Sequence, residues 1–180
     1  MKDIALHILD ITQNSIRARA SEIIITVDES PAAGLLTLII SDNGKGMDEE
    51  TCKKAVEPWY TSRTTRKLGM GLPLLQMNAD LSGGGLTVDS SPGIGTNVTA
   101  TFGYSHVDRP PLGDISGTIA LLIFANPGIN IIFHHRFNGK AWDISTGEIS
   151  ETLGKDALSE LNIVKYLKEI IENNIAGITK

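Results

Sequence analysis

Three separated clusters of residues in this 180-residue chain could do chemistry together. The first is Asp10, Asn14 and Arg17, spaced four and three apart. On a helix such residues share one side and point into one space. A carboxylate and an amide oxygen suit a hard cation such as magnesium with its waters. A guanidinium suits phosphate oxygens. The second is Asp42, which ends an apolar run and is followed by Asn43, Gly44, Lys45, Gly46 and Met47. That places one fixed acceptor beside backbone able to approach a ligand closely. The third is Gly69 and Gly71, just before a helical stretch. A glycine turn entering a helix offers free N–H groups and a positive dipole end to phosphate. Each cluster has a plainer reading. The first could be a solvated helix face, the second an ordinary Asp-Asn-Gly turn. The third lacks the ending of a Walker phosphate loop and the third glycine of a dinucleotide fingerprint.

The elements that must hold these residues follow from periodicity. Apolar residues at three-to-four spacing predict a helix over Ile4–Ala18. Ser21–Asp28, rich in β-branched residues, reads as a strand. Leu35–Ser41 reads as the returning strand of a hairpin that delivers Asp42, and Met47–Val56 as a short helix stopped before Pro58. Cys52 within it has no local histidine to activate it and is read as a small helix residue. Residues 57–67 carry Arg63, Arg66 and Lys67 among hydroxyl side chains, with no apolar period. They suit either a basic surface loop or a lid that closes over an anion. After the helix that follows Gly71 come strands at Leu86–Ser90 and Thr96–Phe102, joined by a turn through Gly95.

Composition narrows the class. The chain is 41% hydrophobic and 21% charged, ordinary for a globular protein. A net charge of −5 gives no electrostatic case for nucleic-acid binding. The single cysteine excludes a disulfide framework and a cysteine-rich zinc site. No signal-peptide pattern opens the chain, and its longest apolar run, Thr118–Ala125, is far short of a membrane span. A cytoplasmic protein with no membrane role is the expectation.

Read together and in order, these pieces resemble the GHKL ATPases, over roughly Ile4–Gly103. The N-box is Asp10 through Ala18, the first glycine box Asp42 through Met47, the second Gly69 through Leu72, and the last Gly95-Thr96. Glu57-Pro58-Trp59-Tyr60-Thr61-Ser62 and Asp89 through Thr96 are similar to segments of histidine kinases. The pair Asn14-Ser15 followed by Ala20-Ser21-Glu22-Ile23 is more weakly similar to the mismatch-repair branch. The resemblance implies an α+β fold of Bergerat type: a two-layer sandwich, its sheet mixed but mainly antiparallel, with helices on one face. It implies ATP and magnesium as cofactors. Asn14 would hold the metal, Asp42 would accept from the adenine amino group, and Thr96 would support that contact. Gly44 and Gly46 would admit base and ribose, Gly69 and Gly71 would cradle phosphates, and Arg17 would face them. Arg63 and Lys67 would be lid cations. Asp10 falls where the family's catalytic members often carry Glu as general base, one methylene longer.

Residues 1–107 would form this ATP-binding domain and 108–180 an added extension. Within the extension, Thr118–Ala125, Ile129–Phe137 and Lys140–Ile144 read as a β-meander, with Asn138-Gly139 a strong hairpin turn. Lys155–Ile175 reads as an amphipathic helix whose apolar stripe suggests docking, either on a partner or on the ATPase sheet. No phosphoacceptor helix is expected ahead of the domain, and His7 reads as structural. The expected role is therefore a kinase or ATPase in signal transduction, acting on a separate protein and compatible with a homodimer. The alternative is a non-catalytic ATP-sensing regulatory module.

Overall fold

A computed structural model describes residues 2–56, 70–154, 158, 160 and 162–180. Along the chain run α1 (Ile4–Arg17), β1 (Glu22–Ser30), a 3-10 turn (Pro31–Ala33), β2 (Leu35–Asp42), α2 (Glu49–Ala55) and α3 (Gly71–Leu81). Then come β3 (Gly85–Ser91), β4 (Gly95–Gly103), α4 (Ile115–Ala125), β5 (Asn130–Phe137), β6 (Lys140–Ser145), α5 (Thr146–Leu153) and α6 (Asn162–Ile178).

The six strands make one sheet in the order β3-β4-β2-β1-β5-β6. All neighbours are antiparallel except β1 and β5, which run parallel from Glu22↔Asn130 to Glu29↔Phe137. Alternation decides which face is covered. Ile23, Ile25 and Val27 of β1, Leu36, Leu38 and Ile40 of β2, and Val98, Ala100 and Phe102 of β4 are all buried. They form one apolar face with Ile131 and Phe133 of β5, and against it lie α1, α3, α4 and α6. Mostly threonine and charged residues alternate onto the opposite face, with Ile24, Ile39 and Ile132 half-buried among them. The molecule is thus a two-layer α+β sandwich with its helices on one face.

Residues 115–125 depart from the expected first strand of a meander. They form α4, N-capped by the Asp114 side chain, which accepts from Gly117 N. An eight-residue apolar run does not separate strand from buried helix by period alone. Here the helix packs between α1 and α6 and onto the sheet, which bury Ile115, Ile119, Ala120, Leu122 and Ile123 and leave Leu121 exposed. The extension therefore supplies a two-stranded hairpin, β5–β6, flanked by helices. Its α5 is opened by a capping box of Ser145 and Glu148. The stripe of α6 is consumed internally: Ile163, Leu167 and Ile171 are buried against α4 and the hairpin. Of the two docking surfaces that the stripe suggested, it takes the chain's own sheet together with α4, and the motive for a partner is gone.

The extension also touches α1 directly. Ile4 N and Ala5 N, donors with no partner inside the helix, are taken by Pro111 O at 2.9 Å and Leu112 O at 3.0 Å. Asp3 caps the same end by accepting from Leu6 N. Residues 111–112 thus fasten the first turn of the helix that carries Asp10, Asn14 and Arg17.

Candidate functional site

The β2 strand ends at Asp42, and its half-buried carboxylate is gripped from two sides. Gly44 N donates to Oδ1 at 2.9 Å. Ser15 Oγ, reaching from α1, donates to Oδ2 at 2.6 Å. Each oxygen has a second lone pair, so the group is oriented yet still able to accept. Thr96 is the ladder partner of Asp42 across β2 and β4, which puts both side chains on one face. The Thr96 hydroxyl pairs with Ser90 Oγ at 2.9 Å. Ser90 also donates to Gly95 O at 3.0 Å and accepts from Met47 N at 2.8 Å. With its one proton given to Gly95, Ser90 receives from both Thr96 and Met47.

Residues 43–47 are sewn into place from both sides. Lys45 N donates to Ala18 O at 3.0 Å, and Lys45 O accepts from Gly93 N at 2.7 Å. Asn43 Oδ1 accepts from Ser21 N and Glu22 N, tying the loop to the start of β1. Gly46 has a φ of 64°, and a Cβ there would meet Ser91 O at 1.9 Å. Only glycine combines that conformation with that approach.

Farther along α1 lie the other polar residues. Asn14 is exposed, and its Oδ1 accepts from Arg17 Nη1 at 3.0 Å. Asp10 is half-buried against the start of α3: a Cβ on Gly71 would stand 1.9 Å from Asp10 Oδ2. The N-cap of α3, Met70, makes no side-chain hydrogen bond, and Pro73 in the first turn has no N–H. Among the described residues no side chain caps the α3 N-terminus, and its partial positive charge lies beside the Asp10 carboxylate. Ser15, touching Asp42, stands five residues after Asp10, touching Gly71, roughly 7–8 Å of helical rise. The carboxylate end and the helix-N-terminus end of the site are thus separate stations along α1.

Behind the site, His7 of α1 is fully buried and its Nε2 lies 2.8 Å from Asn78 Nδ2 of α3. Burial holds its pKa down at about 4, so the ring is neutral near pH 7. The amide donor makes Nε2 the acceptor, leaving the proton on Nδ1. A ring so enclosed presents no surface to a phosphoryl donor.

Asp42, Gly44, Gly46 and Thr96 are therefore neighbours, with Asn14, Arg17, Asp10 and Gly71 reached along α1. The expected lid cations Arg63 and Lys67, and Gly69, lie outside the described residues. Among the described residues no group of three or more His, Cys, Asp or Glu converges as a metal cluster. A hard cation here would take oxygen from Asn14 and complete its shell with water and ligand oxygens, as magnesium does. Sequence reasoning does not single out Ser15, Ser90 or Asn43 for the site. Ser15 follows Asn14 directly and falls one turn after the apolar Ile11, which is the one sequence cue that it faces inward. No local pattern marks Ser90.

Comparison with known proteins agrees with this geometry. Residues 2–106, more than half of the chain, match the family described as histidine kinase-, DNA gyrase B-, and HSP90-like ATPase. Sensor histidine kinase YvrG of Bacillus subtilis is 37% identical over 71 residues, 37% of this chain and 12% of that protein. Sensor protein kinase FleS of Pseudomonas aeruginosa is 38% identical over 58 residues, 32% of this chain and 14% of that protein. The chain thus spans only a small part of the length of these relatives. Among solved structures, the N-terminal domain of a DNA repair protein superposes with a TM-score of 0.56 at 19% identity. That match covers 80% of this chain and 52% of the other, and it establishes the likeness of fold.

Proposed function

The chain belongs to the histidine kinase-, DNA gyrase B-, and HSP90-like ATPase family, and from that premise we propose that it binds Mg-ATP and transfers or hydrolyses the terminal phosphate in a regulatory exchange with a partner protein. Domains of this family bind ATP. One observation carries the reading for this chain: the Asp42 carboxylate, oriented by Ser15 and Gly44 N opposite Thr96, stands one helical stretch away from the α3 N-terminus. The first station suits the adenine amino group and the second suits phosphate. Asn14 would hold magnesium and Arg17 would meet phosphate. Gly44 and Gly46 would admit base and ribose, Gly69 and Gly71 would cradle the phosphates, and Arg63 and Lys67 would cover them. Residues 1–107 would be the nucleotide unit and 108–180 its extension.

Asp10 would act as general base through a water, since its carboxylate is one methylene shorter than a glutamate in that place. The same shortness supports a second reading, a module that senses ATP without consuming it and changes partner binding. Asp10→Asn separates the two. An enzyme loses turnover and keeps nucleotide binding. A sensor has no turnover to lose, and its partner binding still follows ATP.

The test is incubation with γ-labelled ATP and magnesium, alone and with the products of neighbouring genes. Label on another protein marks a kinase, label in free phosphate an ATPase, and neither, with ATP bound, a sensor. Wild-type protein that fails to bind ATP, with Asp42→Ala no worse, would remove the proposal altogether.

A further inference from the structure

We propose that Arg17 stands in for the metal on Asn14 in the nucleotide-free chain, so that loading Mg-ATP exchanges one cation for another at the Asn14 amide oxygen. The inference rests on the nucleotide reading above and adds a step to it. Its basis is the 3.0 Å hydrogen bond from Arg17 Nη1 to Asn14 Oδ1, the same oxygen that suits magnesium. Two cations do not share that oxygen comfortably. Magnesium demands near-ideal octahedral geometry with ligands close in, and a guanidinium on the same oxygen crowds that shell with like charge.

Phosphate resolves the conflict. A triphosphate offers Arg17 anionic oxygens that match its planar fork, a stronger acceptor than a neutral amide. Once Arg17 turns to phosphate, Asn14 Oδ1 is free for the metal, and the phosphates separate the two cations. Arg17 and Asn14 lie three apart on α1, so the exchange needs only side-chain rotation. Two consequences follow. Metal alone has low affinity for the free chain, because Arg17 holds its ligand. Removing Arg17 therefore strengthens metal binding to the free chain and weakens ATP with or without metal.

The experiment measures Mn2+ binding without nucleotide by electron paramagnetic resonance for wild type, Arg17→Ala, Arg17→Lys, Asn14→Ala and the Asn14→Ala/Arg17→Ala double variant. ATP affinity with magnesium and with EDTA is followed in parallel. Arg17→Ala raises the Mn2+ affinity of the free chain about threefold, the scale of one exposed charge-assisted hydrogen bond. It weakens ATP in both conditions, because Arg17 has turned to phosphate in each. Arg17→Lys, which keeps a cation within reach of Asn14, holds the wild-type Mn2+ affinity. In the Asn14→Ala background the Arg17 effect on Mn2+ vanishes. Mn2+ affinity that is unchanged or lowered in Arg17→Ala, while ATP still binds, overturns the exchange and leaves the nucleotide site standing. Wild-type protein that binds no ATP overturns both.

Discussion

Ser15 Oγ donates to Asp42 Oδ2 at 2.6 Å and so ties the N-terminal helix to the last residue of β2. Gly44 N takes the other oxygen at 2.9 Å. The carboxylate is therefore held in place by one donor on each side before any ligand arrives. Preorganised acceptors lose less on binding than ones that must be ordered. The contact also fixes the distance between α1 and the end of β2.

Removing the Ser15 hydroxyl tests that arrangement. Ser15→Ala loses a hydrogen bond to a charged group, worth about 1.5 kcal/mol, so ATP affinity falls roughly tenfold. Asp42→Ala removes the acceptor itself and takes binding beyond measurement. Titration calorimetry with ATP checks both. Ser15→Ala binding ATP as tightly as wild type would contradict the role assigned to the contact.

Gly46 and Gly85 give a matched pair for the adjoining loop. A methyl on Gly46 meets Ser91 O at 1.9 Å and requires a left-handed backbone. Both effects destabilise, together by about 2 kcal/mol or more. A methyl on Gly85 meets nothing within 4 Å. Gly85→Ala in β3 is therefore neutral or slightly stabilising. Thermal melts of the two variants should separate by several degrees, with Gly46→Ala the lower.

These contacts separate what the sequence makes legible from what it hides. Asp42, Gly44, Gly46, Gly71 and Thr96 stand out as candidates because each lies in or beside a glycine turn where an apolar element ends or begins. Ser15 and Ser90 have no such marker: a serine becomes a ligand for Asp42 or a hub for Met47, Gly95 and Thr96 only after the strands pair. Residues 118–125 read as a strand because Thr-Ile-Ala-Leu-Leu-Ile-Phe-Ala has no polar face; α1, α6 and the sheet cover most of the helix they form, while Leu121 stays exposed. The stripe of α6 is legible, but its partner is the chain's own α4 and hairpin, which no local pattern announces.

The buried His7 predicts a pH dependence. Its pKa in the fold is about 4, below the ordinary value of 6.5, because burial disfavours the charged ring. The unfolded chain thus binds the proton more tightly than the native one. Stability from this group is complete above about pH 6.5 and is lost as pH falls toward 4. The full loss is about 3 kcal/mol, since each tenfold weakening of proton affinity is worth roughly 1.4 kcal/mol. His7→Gln keeps an acceptor for Asn78 without the titration. Urea unfolding across that window should show a shallower slope with pH for the variant than for wild type, and equal slopes would refute the assignment.

At the far end of β1, Glu29 joins the two parts of the chain. Its Oε1 lies 3.0 Å from Nε2 of His135 on β5, and its Oε2 accepts from Tyr104 Oη at 3.3 Å. Both Glu29 and His135 are buried, with His135 fully so. Removing one member leaves the other enclosed without its partner, which costs about 3 kcal/mol or more. Glu29→Ala and His135→Ala are each expected to destabilise by that amount, and the double variant by clearly less than their sum. The nucleotide site should be spared: Ile23, not Glu29, is the β1 residue paired with Asp42, and Glu29 pairs with Leu36 at the other end of the same ladder. Urea melts give the three stabilities and the coupling between the positions. ATP affinity, measured well below the unfolding transition, should stay within about twofold of wild type, as expected for distant sites that share no partner. Additive stability losses would show that the pair is not a unit. A large loss of ATP affinity in the folded variants would show that this end of the sheet speaks to Asp42 after all.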